Sequence, residues 1–387
     1  MDEKSAAGKQ PEAKREKKKT HGFRRVLALI LTLALIVLAV LAFMFRDRLT
    51  GEGLRSVFRG DEAAPASRGD AFTYELGSGQ VFAAAGNGLA VASSSAIELL
   101  NSTGETVFKQ VVSYDTPAVF ASSSGALFCD LGGTGCVLAG FDGESASMNP
   151  TGELITASMN ENGWFTVTTA AAGYKGLVNV YDAGGALRYE WWSGAGYVLK
   201  AAVSPDNRML AVLCAETGGG RLHIFRLDSE TEAASAEFEG ELPYDLYFMA
   251  NDRLCAVGED ALTFLTTDGE VKSRFGLDGY YLLDYDFGGQ GFAAICVSAY
   301  RAAGGMIETL DKDGKLLAYV ETDRDVTSLS AAGRQLLAMT AGGLTLYNQD
   351  LSVSASREAL MTAKKAILRP DGNILLLSSY SAERIKL

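Results

Sequence analysis

A turn built on Asp or Asn with Gly returns along most of this chain at a spacing of roughly 40 residues, and a period of that length restricts the fold more than any other feature does. The turns are Asn101-Ser-Thr-Gly104, Asp142-Gly143, Asp182-Ala-Gly184, Asp268-Gly269 and Asp313-Gly314, with degenerate members at Asp228-Ser-Glu230 and Asn348-Gln-Asp350. Each follows an apolar stretch such as Leu177-Val-Asn-Val-Tyr181 or Leu262-Thr-Phe-Leu265, and precedes a more polar one such as Glu270-Val-Lys-Ser-Arg-Phe275. That is hairpin chemistry, with Asp-Gly where a tight turn needs it.

A second hairpin lies upstream of the first in each period. Its turns are Gly86-Asn-Gly88, Ser204-Pro-Asp-Asn207, Gly288-Gly-Gln-Gly291 and Arg369-Pro-Asp-Gly372. The strands that follow are almost wholly apolar, as in Met209-Leu-Ala-Val-Leu-Cys214 and Ile374-Leu-Leu-Leu377. An unbroken apolar run marks a strand covered on both faces. Each unit therefore reads as four strands: inner, buried, half-buried and outer. One such sheet cannot bury both faces alone, and radial packing around an axis solves the problem. The predicted fold class is all-β, a β-propeller with units at 80–111, 116–150, 153–193, 196–240, 242–279, 280–323, 324–360 and a partial last unit at 361–387. The stretch 71–76 has no unit of its own, so it is expected to complete the last blade and close the ring. This count favours eight blades over seven.

The chain before the repeat has a different character. Residues 26–45 are apolar except Thr32, enough for a helix to span a bilayer at 1.5 Å per residue. Residues 1–25 carry nine Lys or Arg against four acids. By the positive-inside rule this basic tail is cytoplasmic and the domain at 71–387 is extracytoplasmic. A cleaved signal peptide is the competing reading, but its apolar region would be shorter. Residues 46–70 read as a juxtamembrane linker. The expected localisation is thus a single-pass protein of the cell membrane.

Two stretches, Val203-Ser-Pro-Asp-Asn-Arg-Met-Leu-Ala-Val212 and Ile367-Leu-Arg-Pro-Asp-Gly-Asn-Ile-Leu375, resemble the inner hairpin of WD40-like bacterial propellers, without their Trp-Asp signature. With Phe45-Arg-Asp-Arg-Leu49, Gly132-Gly-Thr-Gly135, Tyr189-Glu-Trp-Trp-Ser193 and Gly196-Tyr-Val198, the whole plan resembles a family of bacterial single-pass membrane proteins of unknown function. The resemblance implies the fold and the topology and carries no catalytic motif.

The net charge is −12 although the tail is positive, so the propeller is strongly acidic and a nucleic-acid partner is excluded for it. Only two histidines occur, His21 in the tail and His223 in a strand. That removes His-based metal sites and His-dependent triads. No metal and no cofactor is expected. Asp311-Lys-Asp313-Gly314 has its Gly too early for an EF-hand loop. Cys129, Cys214, Cys255 and Cys296 share one place in the repeat, the apolar second strand, and read as small buried hydrophobes. Cys136 differs: the hairpin around Gly132-Gly133 would set it opposite Cys129, and a disulfide between them is open outside the cytoplasm.

The candidate binding residues are tyrosines at the joints between units: Tyr114, Tyr197, Tyr244, Tyr280 and Tyr281. Equivalent positions in a propeller lie on a ring, so these side chains would circle one mouth of the central channel. With Asp115, Asp245 and Lys200 beside them they could grip a protein or a cell-envelope glycan by stacking and hydrogen bonding. The bland alternative is that they wedge between blades. Trp191 and Trp192 should point to opposite faces of their strand. The function expected is a binding or scaffold module of the envelope. The alternative is a carboxylate-dependent lyase or hydrolase acting on envelope polysaccharide, which would need acids converging in the channel.

Overall fold

The computed structural model describes residues 71–387 apart from Leu76, Arg301 and Leu360. The tail at 1–25, the predicted helix at 26–45 and the linker at 46–70 lie outside the described residues. Among the described residues no helix is long and apolar enough to cross a membrane.

Those residues form eight four-stranded antiparallel sheets. In seven of them the strands pair in chain order, giving blades 1 to 7 at 81–111, 117–148, 154–193, 197–239, 245–276, 281–322 and 326–358. The eighth sheet joins the two ends of the described chain. Lys365–Leu368, Ile374–Leu377 and Ser381–Ile385 supply three strands, and Ala71–Thr73 pairs with the third of them, Phe72 facing Ala382. Tyr74 extends the joint, donating its hydroxyl to the carbonyls of Ser378 and Ser381 at 2.8 Å each.

Burial follows the strand order. The second strands Gly125–Asp130 and Phe292–Ser298 are buried at every position, whereas the outer strands Thr106–Val111 and Val353–Glu358 are mostly exposed. Eight apolar cores result, each filled from two neighbouring blades. Phe128 with Leu99 joins blades 1 and 2, and Phe72 with Leu89 joins blades 8 and 1. Fully burying one such side chain contributes about 1.5–3 kcal/mol, so the ring closes on the same apolar packing that holds any two of its blades.

Adjacent inner strands are tied by side chains reaching a neighbour's backbone. Ser158 donates to the Ala201 carbonyl (2.7 Å) and Asn160 to that of Ser204 (2.9 Å). Asp284 and Asp286 accept from the N–H groups of Leu329 (2.7 Å) and Ala331 (3.0 Å). Partners advance together along both chains, so neighbouring inner strands run parallel down the axis. Strand direction then alternates outward through each blade. The joints between blades and the turns between second and third strands therefore share one end of the ring. The other two sets of turns share the opposite end.

The Asp-Gly turns lie between third and fourth strands, as the hairpin reading expected. Gly143, Gly269 and Gly314 have φ of 82°, 80° and 79°, and the turn N–H of Gly314 donates to Asp311. The ladder slips by one residue beside this turn, between Thr309 and Leu310 in blade 6 and Phe264 and Leu265 in blade 5. This is a type I turn closed by a bulge with glycine in the left-handed region, a standard three-residue hairpin loop. Asp311 accepts the N–H groups of Asp313 and Lys315 at 2.9 Å, and Asp313 instead pairs with Arg253 of the preceding blade. The carboxylates that suggested a calcium loop are thus turn and blade contacts.

Candidate functional site

The end of the ring that carries the blade joints also carries the exposed tyrosines. Tyr197, Tyr244, Tyr280 and Tyr281 stand exposed there, Tyr197 at 60%. Residues in turns between second and third strands join them, because strand parity brings those turns to the same end. Tyr174 packs against Trp192 with ring centroids 4.9 Å apart, and Tyr300 lies 6.1 Å from Tyr281. Lys175 sits 4.5 Å above the Tyr197 ring and donates to its hydroxyl at 3.1 Å. Trp192 donates its indole N–H to Glu190 (2.7 Å). Its neighbour Trp191 turns inward, 5.2 Å from the ring of His223. The exposed aliphatic side chains Leu187, Val271, Leu316 and Val353 begin outer strands at the opposite end.

Tyr114 does not belong to the exposed group. It is 6% exposed and fills the core between blades 1 and 2. Its ring occupies the space a Cβ on Gly135 would take, 2.6 Å from Cε1. Its hydroxyl is buried without a hydrogen-bond partner among the described residues. Burial pushes that hydroxyl well above the usual tyrosine range, and the neighbouring Cys129, Cys136 and Asp130 add to the effect. Asp115 is exposed on the same joint, and its backbone N–H is held by Asp130 at 2.9 Å. Cys129 and Cys136 face each other as directly paired residues of blade 2, with free thiols 3.1 Å apart. Cys214, Cys255 and Cys296 are buried and free in the second strands of their blades.

Lys200 and Asp245 lie on the inner strands Tyr197–Val203 and Asp245–Ala250, in the channel wall rather than on the joints. The fold brings them together, Nζ to Oδ1 at 3.2 Å. The same carboxylate accepts the Leu246 N–H (2.9 Å) and the hydroxyls of Tyr247 (2.8 Å) and Tyr285 (3.0 Å). Tyr247 stacks on Phe287 at 4.4 Å, and Tyr285 meets both rings edge-on. The Lys200 ammonium is 5.8 Å from the Phe120 ring and 5.9 Å from that of Tyr247. Burial, and then the charge of Asp245, raise both tyrosine hydroxyls well above their ordinary range. They act here as hydrogen-bond donors.

Adjoining this cluster, and reaching towards the end away from the exposed tyrosines, the inner strands line an open cavity of about 450 Å³. Its walls are the ends of the inner strands of blades 3, 4 and 6 with the turns that follow, and the middle of the inner strand of blade 5, Leu246 to Phe248. Among the described residues no group of three His, Cys, Asp or Glu is placed to hold a metal ion.

Tyr247, Tyr285 and Phe287 were not among the sequence candidates. They sit mid-strand or just beyond a strand end, and the period alone does not distinguish a channel-facing tyrosine from one packed between blades. Tyr174 and Tyr300 carried a usable signal, since strand parity alone assigns their turns to the end that holds the joints.

Several solved structures share the fold at low identity. The C-terminal WD40 domain of Sif2 is 12% identical, with a TM-score of 0.56, and the match covers 82% of this chain and 98% of that one. BamB from Moraxella catarrhalis is 12% identical at a TM-score of 0.51, covering 81% and 98%. A eukaryotic initiation factor is 13% identical at 0.52, covering 80% and 84%. Likeness at this level shows the fold alone. No curated protein matches the chain in sequence. Residues 72–387 match the model of a family described as a family of unknown function (DUF5711).

Proposed function

We propose, for a chain that belongs to the DUF5711 family of unknown function, a binding or scaffold module that holds a protein or glycan of the cell envelope on its tyrosine-bearing end. The observation that carries the reading is the segregation of exposed aromatic side chains. Of eight exposed tyrosines among the described residues, seven stand at the end with the blade joints, and only Tyr319 lies along an outer strand. Tyrosine offers a large rigid ring and a polar tip at low entropic cost, which suits contact with either kind of partner. The apolar run at 26–45 and the basic residues before it support a membrane anchor with the propeller outside the cytoplasm.

The acids of the channel favour binding over hydrolysis or elimination. Asp245 is engaged by four donors, and Asp284 and Asp286 are each held by backbone N–H groups. A carboxylate occupied in this way is poorly placed to take a proton from a substrate.

The test uses the full chain in maltoside micelles against envelope extract and an envelope-glycan array, beside a Tyr197→Ala/Tyr244→Ala/Tyr281→Ala variant. A specific partner lost in the variant, with its melting temperature unchanged, is the expected result. The same partner retained at equal affinity would remove this end as the binding face.

A further inference from the structure

We propose that the cavity reaching towards the far end of the channel is a binding site for an organic ammonium group. It extends away from the tyrosine-bearing end, so it stands independently of the function proposed above.

Three observations support it. First, the volume of about 450 Å³ falls in the range of small-molecule sites, which span about 300–1,000 Å³. Second, its walls include four aromatic rings, those of Tyr247, Phe248, Tyr285 and Phe287, with two acids, Glu161 and Asp286, and no Lys or Arg. Aromatic faces attract a cation through their quadrupole, and the exposed carboxylate of Glu161 adds to that field. An anionic ligand would find no cation in the lining to receive it. Third, the same stretch of channel already holds one ammonium in this way. Lys200 Nζ lies within 6 Å of the Phe120 and Tyr247 ring centroids and 3.2 Å from Asp245. The wall that accommodates that internal cation continues, through the stacked pair Tyr247 and Phe287, into the cavity.

Glu161 is exposed at the mouth, on the turn after the inner strand Leu154–Met159 of blade 3, and gives the incoming cation a first partner. Asp286 also lines the cavity, but its oxygens are already engaged by the Gly288 and Ala331 N–H groups (2.6 and 3.0 Å), so Glu161 is the acid open to the cation. The ligand is either a free amine or the basic side chain of a peptide; the ammonium group is common to both.

Calorimetric titration of the full chain in maltoside micelles, which carry no ammonium headgroup, tests the proposal. One arm compares choline with 3,3-dimethylbutan-1-ol, its neutral isostere. The other compares a lysine-containing hexapeptide with its norleucine counterpart. The charged member of at least one pair binds at least ~10-fold more tightly than its neutral partner, and the better arm names the source. Phe287→Leu, in a turn beyond the strand end, reduces that affinity about tenfold, and the exposed Glu161→Gln reduces it about threefold. Tyr197→Ala leaves it unchanged. Equal binding of charged and neutral members overturns the proposal. So does the absence of binding by any probe at millimolar concentration, or an affinity untouched by Phe287→Leu and Glu161→Gln together.

Discussion

The tyrosines of the channel and those of the open end are the same side chain used in opposite ways. Tyr247 and Tyr285 point their hydroxyls at one carboxylate and give their rings to a packed aromatic wall. Tyr197, Tyr244, Tyr280 and Tyr281 stand exposed at the joints between blades, and the Tyr197 hydroxyl accepts from Lys175 rather than binding an acid. The first pair is part of what holds blades 4 to 6 together around Asp245, so its loss should appear in stability. The second group contributes little to the cores, so its loss should appear in binding alone. Tyr114 is a third case: it occupies a joint as the exposed tyrosines do, yet is buried like the channel pair without their hydrogen bonds.

The largest effect expected on this contrast comes from Asp245→Ala. It strands the Lys200 ammonium and leaves two hydroxyls and the Leu246 N–H without their acceptor. Breaking a partly buried pair from one side costs about 3 kcal/mol or more, to be read from urea unfolding of the full chain. The double variant Asp245→Leu/Lys200→Met should recover a large part of that loss. If it does not, hydrogen bonds rather than charge hold the centre of the channel.

Next in size is the effect of Tyr247→Phe, which removes one hydrogen bond to a carboxylate and costs about 1.5 kcal/mol at neutral pH. Its pH dependence sharpens the contrast. Burial first, and then Asp245, raise the Tyr247 hydroxyl above its usual value near 10. The folded state therefore holds that proton more tightly than the unfolded chain does. The contribution is fully present below pH about 10 and is lost as pH rises towards the folded value. Unfolding free energies measured at pH 8 to 11 should fall more steeply in the parent than in Tyr247→Phe. Parallel curves would show that the hydroxyl is not shielded.

The smallest effect has the opposite sign. Tyr114→Phe removes a buried hydroxyl that has no partner and keeps the ring against Gly135. Relieving such a group should stabilise the protein by up to about 1 kcal/mol, seen as a higher urea midpoint. A loss of stability would mean that the hydroxyl has a solvent partner.

The repeat was legible because each of its strands has a burial of its own. The uninterrupted apolar runs at Met209 and Phe292 became second strands buried throughout or nearly so, and the Asp-Gly pairs became turns between third and fourth strands. The bulge beside those turns was not legible, since Asp-Gly is compatible with both the two-residue and the three-residue loop. At the site, the exposed tyrosines of blades 4 to 6 stand where their positions in the period put them. Tyr114 departs because Gly135, with no Cβ, opens a slot for its ring.

The sequence by itself determined the period, the four-strand unit and the propeller class, and favoured eight blades over seven, because burial on two faces, one face or none is written into local apolar patterning and turn residues. Only the tertiary structure decided which polar groups meet. Lys200, Asp245, Tyr247 and Tyr285 come from three different blades. Their contact depends on the ring's curvature and on the relative height of its inner strands. Those follow from the packing of eight inter-blade cores together, and no local stretch of sequence encodes them.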